Sequence, residues 1–259
     1  MRIPPWAVGT LIGSLVVTTA WAQGASARLE LEGRFWHPVL AARARAAVAD
    51  EPATDIDLKR DLGMRDRGLS EARLTWRVGR RHRLRLAYTP IVYQGDRIVQ
   101  TTVRFRGQTY EFGTRVASEF RLQYLRLGWT WLWLDLGGGV VRLGPLVDFK
   151  GFRAEGSLTT SAGPVPISAT RTWWAGAPTL GVALDVRPSG WVGVFVEVSG
   201  LPAGSLGTFW DGEIGVQVTP FRHFRLVGGY RYLRGQVTSG SDFVEATMVG
   251  PFLSAILGF

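Results

Sequence analysis

The chain contains no cysteine and almost no lysine: of its 30 basic residues, only Lys59 and Lys150 are not arginine. Without cysteine there is no disulfide framework and no thiolate metal centre. Beyond the expected signal segment no window approaches the ~18 consecutive apolar residues of a membrane-spanning helix, so helical spans are excluded. What the chain has in quantity is apolar and aromatic material, with 46% hydrophobic residues, 33 glycines and 11 tryptophans in 259 positions. That content excludes intrinsic disorder. The formal charge of +9 would ordinarily raise nucleic acid as a partner. Here the arginines form no tail or block; most alternate singly with apolar residues, and no nucleic-acid partner is expected.

The N-terminus reads as an export signal. Arg2 supplies a positive start, Ala7 to Thr18 is uncharged and largely apolar, and Ala20-Trp21-Ala22 is a small-x-small cleavage pattern before Gln23. We expect a signal peptide over 1–22 and a mature domain over 23–259. A retained anchor is the alternative, but the apolar stretch is short for a ~20-residue span.

The mature chain alternates with period two. Leu29, Leu31, Gly33 and Phe35 interleave with Arg28, Glu30, Glu32 and Arg34, and the same pattern recurs over 71–78, 83–88, 119–124, 211–218 and 224–226. Such segments are strands with one apolar and one charged face. The spacing predicts ten of them, near 26–36, 69–78, 83–93, 118–129, 134–150, 171–186, 191–199, 209–219, 224–234 and 244–259, with eight or twelve as alternatives. Their connections alternate between short turns (79–82, 130–133, 187–190, 220–223) and long loops (37–68, 94–117, 151–170, 200–208, 235–243). Short turns on one side and long loops on the other mark a transmembrane antiparallel up-and-down β-barrel with periplasmic turns and extracellular loops. A soluble sandwich or barrel would have to bury either the apolar or the charged face. Residues 98–116 read either as an extracellular hairpin or as two further membrane strands.

At the C-terminus Leu253, Ala255, Leu257 and Phe259 alternate to a final phenylalanine. Here the chain resembles bacterial outer-membrane β-barrel proteins, whose last strand ends in Phe; Leu257 stands where that pattern more often carries an aromatic. In general plan it resembles the small OmpA/OmpX-type and OmpW-like barrels. It is also similar to outer-membrane proteins that share the stretch seen here as Asp55-Ile56-Asp57-Leu58-Lys59-Arg60-Asp61-Leu62-Gly63. The resemblance implies recognition of Leu253, Ala255, Leu257 and Phe259 by the outer-membrane assembly machinery, location in the outer membrane, and contact with its lipid and lipopolysaccharide.

With apolar residues facing lipid, the lumen receives Arg28, Glu30, Glu32, Arg34, Glu71, Arg73, Arg77, Arg83, Arg85, Glu119, Arg121, Gln123, Asp185, Asp211, Glu213, Gln217, Arg225 and Arg231. In a narrow barrel side chains fill the interior, so these charges are expected to pair; an arginine-lined, anion-favouring channel is the alternative. Glu245 shares the parity of Phe259, so it lies above the bilayer or a bulge at Gly250-Pro251 changes face. Trp129, Trp131, Trp133, Trp191 and Phe221 are expected in one interfacial girdle, with Trp173, Trp174, Phe209, Trp210, Tyr230 and Tyr232 in the other. Chemistry is thinly represented. A surface protease would need His37 near Asp50, Glu51 or Asp55, no serine-histidine spacing stands out, and no metal or cofactor motif is present. The Gly137-Gly138-Gly139 run is expected to ease strand curvature. The sequence thus favours a non-enzymatic barrel with a structural or surface-interaction role, its 41–67 loop and Arg60, Arg65, Arg67, Arg97, Arg104 and Arg106 facing lipopolysaccharide phosphates.

Overall fold

The structure, a computed structural model, describes residues 28–45, 55–98, 103–105, 108–111, 113–160, 167–202, 207–239 and 242–259. The expected signal peptide, and Asp50 and Glu51, lie outside them. The strands in chain order are β1 (Arg28–Trp36), β2 (Val39–Arg45), β3 (Ile56–Asp57), β4 (Leu69–Val78), β5 (His82–Ile98), β6 (Val103–Phe105), β7 (Gln108–Tyr110), β8 (Arg115–Trp131), β9 (Leu134–Leu136), β10 (Val141–Thr160), β11 (Ile167–Val186), β12 (Val192–Pro202), β13 (Gly207–Phe221), β14 (Phe224–Ser239) and β15 (Asp242–Gly258).

Ten of them form the wall: β1, β4, β5, β8 and β10 to β15 pair antiparallel in sequence order. β15 returns to β1, from Glu30↔Gly258 to Trp36↔Phe252, and closes the barrel. Closure leaves no free sheet edge through the belt, which a sheet in lipid requires. Beyond His37 and Pro38, β2 continues the first stave against β15. Residues 98–116 are not two further barrel strands, since β6 and β7 pair only with each other.

The ends of the barrel differ. At one, β4 turns into β5, β11 into β12 and β13 into β14 within a few residues, and both described chain ends lie there. At the other, the strands run far beyond the expected boundaries: β10 and β11 each reach 20 residues, so most of the expected 151–170 loop is strand. Gly137, Gly138 and Gly139 do not curve a strand. They form the turn between β9 and β10, with φ of 62°, 68° and 103°, a conformation in which a Cβ is strained. The expected turn at 130–133 is displaced to that position.

Outward side chains form an apolar belt, with Leu31, Phe35, Leu127, Phe149, Leu180, Ile214 and Leu253 all exposed. Trp129, Trp131, Trp133, Trp191, Phe221 and Phe259 edge it at the short-turn end, and Tyr88, Trp174, Trp210, Tyr230 and Tyr232 at the long-hairpin end, the two girdles of a bilayer-spanning barrel. Leu253, Leu257 and Phe259 are exposed on this outer face, with Ala255 in the same alternation. The register of β14 with β15 runs unbroken, so no bulge occurs at Gly250-Pro251. Glu245 keeps outward parity at the long-hairpin end and accepts a 2.8 Å hydrogen bond from Arg234.

Candidate functional site

The lumen is stacked in three tiers. The middle tier is ionic. Glu32, Glu71, Asp148, Asp185, Glu197, Asp211 and Glu213 face Arg34, Arg73, Arg83, Arg126, Lys150 and Arg231, all buried, with Arg85 nearly so. That is seven carboxylates against seven cations, drawn from nine of the ten staves. Some of their contacts follow the wall, and others cross the lumen. Arg34 of β1 donates to Glu213 of β13 at 2.9 Å, and Arg73 of β4 donates to both oxygens of the same carboxylate. Arg231 of β14 reaches Glu71 at 2.6 Å and Asp211 at 3.0 Å, while Arg85 of β5 grips Glu197 of β12. Arg126 donates to Asp148 at 2.9 Å. Lys150 donates to Ser199 at 2.6 Å, and the Ser199 hydroxyl in turn donates to Asp148 at 3.0 Å. Thr89 and Tyr124 donate to Glu71 and Asp211. Buried charge is tolerated only when paired and hydrogen-bonded in this way.

Above it, toward the long hairpins, the lumen is apolar. Tyr124 stacks on Phe152 with ring centroids 4.8 Å apart, and Phe152 meets Phe209 at 5.0 Å. To one side the connection from β2 to β4 folds inward, so that Ile56, Leu58, Leu62 and Met64 pack on Leu40, Ile91, Tyr93 and Val116. Asp57 caps this turn by accepting from the amides of Lys59 and Arg60, and Asp66 accepts from the Leu40 amide and the Lys59 ammonium, each at 2.8 Å. Gly95 is where the turn meets the wall: a Cβ there would lie 2.1 Å from the Leu62 carbonyl oxygen. The 55–63 stretch is thus an inward stopper rather than a free surface loop, although Arg60, Arg65 and Arg67 remain exposed. To the other side lies an open chamber of about 370 Å³ lined by Phe120, Leu122, Phe152, Phe209, Leu233 and Met248 among others.

Below the ionic tier, at the short-turn end, a cavity of about 580 Å³ is lined by arginines with Glu30 as its acid. Glu30 is shared by Arg77 and Arg225, each at 2.6 Å.

The expected lumen residues fall unevenly across these tiers. Glu32, Arg34, Glu71, Arg73, Arg83, Arg85, Asp185, Asp211, Glu213 and Arg231 meet in the ionic tier, and Glu30, Arg77 and Arg225 in the lower cavity, with Arg28 exposed at its mouth. Glu119, Arg121 and Gln123 do not line the lumen. They lie on the outer face, where Glu119 and Arg121 pair with each other and Gln94 donates to Glu119. The inward positions there are Phe120, Leu122 and Tyr124. The cause is a reversal of environment along one continuous strand. In the belt, Leu125, Leu127 and Trp129 face lipid and Arg126 faces in; higher up the outside is wet and the inside is apolar, so the same parity carries the opposite chemistry. Phe209 is likewise not in the girdle, because it shares the parity of Asp211 and Glu213 and points inward. Arg126, Asp148, Lys150 and Glu197 are the residues the sequence reading missed. Their signal is parity: Arg126 matches Tyr124, and Asp148 and Lys150 match each other along β10.

Of the protease candidates, His37 sits exposed at the β1–β2 junction and Asp55 is engaged by Arg45 at 2.5 and 2.8 Å. No cluster of three or more His, Asp or Glu suited to a metal occurs among the described residues.

No protein-family model and no curated protein matches the chain. Among solved structures it is similar to the outer membrane protease OmpT of Escherichia coli, with TM-score 0.61 and 7% identity over 92% of this chain and 99% of that one. Weaker likenesses are to the translocator domain of the autotransporter NalP of Neisseria meningitidis, TM-score 0.40, 9% identity over 90% and 88%, and to the attachment invasion locus protein Ail of Yersinia pestis, TM-score 0.36, 11% identity over 90% and 99%. At such identities the OmpT likeness speaks to fold alone. Closed wall, lipid belt, paired girdles and that match agree: the chain is a ten-stranded β-barrel of the bacterial outer-membrane kind.

Proposed function

We propose that the protein is a closed outer-membrane barrel with a surface-interaction role, working at its long-hairpin, extracellular end. The observation that carries this is the ionic tier. Cation and carboxylate bridge opposite walls, and the chamber above shares no lining residue with the cavities below. The cavity that reaches from below into the tier, between Glu32, Arg73 and Glu197, is about 50 Å³, room for a water or two rather than a solute path. A narrow anion-favouring channel, the alternative, needs that path.

The upper end is built for contact. On the β12 side β11 is paired only from Leu180 to Val186, leaving 167–179 as an open edge among the described residues. Trp174, 74% exposed, stands on that edge at the chamber mouth. Arg153 lies over the Trp174 ring at 5.0 Å, and Arg121 is exposed nearby; guanidinium groups at this height suit lipopolysaccharide phosphates. At the other end, the outward Leu253, Ala255, Leu257 and Phe259 are the surface offered to the assembly machinery.

Because the chain has no cysteine, single introduced thiols report closure cleanly. On intact cells, a membrane-impermeant maleimide is expected to label Ala246→Cys in the chamber and to label Gln217→Cys, below the ionic tier, at least tenfold more slowly. Equal labelling of both would overturn the closed-barrel reading.

A further inference from the structure

The lower cavity holds more positive charge than the barrel can neutralise. Arg77 and Arg225 share Glu30, and Arg83 pairs with Asp185 at 3.2 Å. Arg28, Arg80, Arg142 and Arg187 line the same cavity, and among the described residues none of these four has a carboxylate partner. Two further observations mark the space as a site rather than a solvated patch. Arg83, whose side chain is only 7% exposed and whose second terminal nitrogen lies 3.6 Å from Glu197, keeps Nε without a hydrogen-bond acceptor, and Arg142 Nε is buried and equally unserved. Buried donors are normally satisfied, so such orphans call for an acceptor. The Arg187 guanidinium in the β11–β12 turn is pushed down to about 10 by burial and by the like charges of Arg77, Arg142 and Arg225, which together outweigh the attraction of Asp185, the mark of a cation with too little negative charge around it.

We propose that this vestibule binds a multivalent phosphate-type oxyanion from the periplasmic side. Guanidinium is the group of choice for such ligands, since its planar fork matches two oxygens at once. Several unpaired forks around one 580 Å³ cavity ask for several negative charges on one molecule, which a monovalent ion does not bring. The ionic tier closes the space above, so the anion binds and returns by the way it came. A soluble phosphate compound and the phosphate of an inner-leaflet phospholipid headgroup present the same chemistry.

The test is isothermal titration of the purified protein in a neutral maltoside detergent with inorganic pyrophosphate, with acetate as the monovalent control. Saturable one-to-one binding of pyrophosphate is expected, at least tenfold tighter than acetate. Arg142→Gln combined with Arg187→Gln should weaken it at least tenfold. Neither arginine carries an ion pair, so heat-modifiable mobility on gels should persist and show that the variant is folded. The double Lys variant keeps the charge but loses the fork and should fall between. Arg115→Gln, in the solvent-exposed pair with Asp96 at the other end, should leave binding unchanged. Repeating the titration in nanodiscs separates the sources: heat lost in phosphatidylglycerol but kept in phosphatidylcholine identifies headgroups as the occupant, and heat kept in both identifies a soluble anion. No saturable binding, acetate matching pyrophosphate, or binding unaltered in the folded double variant would each overturn the proposal.

Discussion

Glu213→Ala is expected to destabilise the barrel by about 3–5 kcal/mol, the cost of removing one member of a buried ion-pair network. Glu213 is the hub of the ionic tier: it accepts from Arg34 and Arg73 and lies 3.4 Å from Arg231 Nε. Deleting it turns a balanced set into one with an unneutralised buried cation. The loss should be read from reversible unfolding in lipid vesicles. It should exceed by several-fold that of Arg115→Ala, whose partner Asp96 sits with it in solvent, where such pairs contribute about 0–1 kcal/mol. Combining Arg73→Leu with Glu213→Leu should cost less than the sum of the single changes, because it removes charge in balance. Additive losses would mean that the pair is not coupled as described.

Trp36→Ala should cost a comparable amount, about 3–5 kcal/mol. Trp36 is 1% exposed, donates from Nε1 to the Gly250 carbonyl at 3.1 Å, and lies under the Arg231 guanidinium at 5.0 Å. Its removal opens a cavity at the junction of the apolar and ionic tiers and strips a buried cation of its aromatic cover. Trp174→Ala, at the exposed girdle, should change unfolding by less than ~1 kcal/mol. A Trp36 variant as stable as the Trp174 variant would show that this junction is not packed as described.

The wall was legible because lipid imposes one rule on every stave, apolar outward with period two. The ten strands, three of the four short turns and most of the two girdles follow from it. The rule expires where the strands leave the bilayer. Glu119, Arg121 and Phe209 were misassigned because apolar was equated with outward along whole strands, although at the upper end water is outside and the aromatic trio inside. Lys150 and Glu197 were overlooked for another reason: Glu197 is an isolated charge between valines and Lys150 alternates only with Asp148, without the repeated alternation that flags β1 or β4. Which acid meets which base was not legible at all. Pairs such as Arg85 with Glu197 join strands far apart in order, and their meeting depends on the tilt and stagger of the closed barrel. The 55–63 stretch stood out as a motif, yet its role as an inward stopper rests on Gly95 leaving space for the Leu62 carbonyl, a contact between elements that no local pattern records.

The most direct test of the central claim, a lumen closed by its own ion pairs, is single-channel recording of the purified protein in planar bilayers, with heat-modifiable mobility confirming the folded barrel. The closed tier predicts a folded protein without reproducible unitary conductance. Reproducible anion-biased steps that change with Arg73→Ala would contradict it and make the barrel a channel.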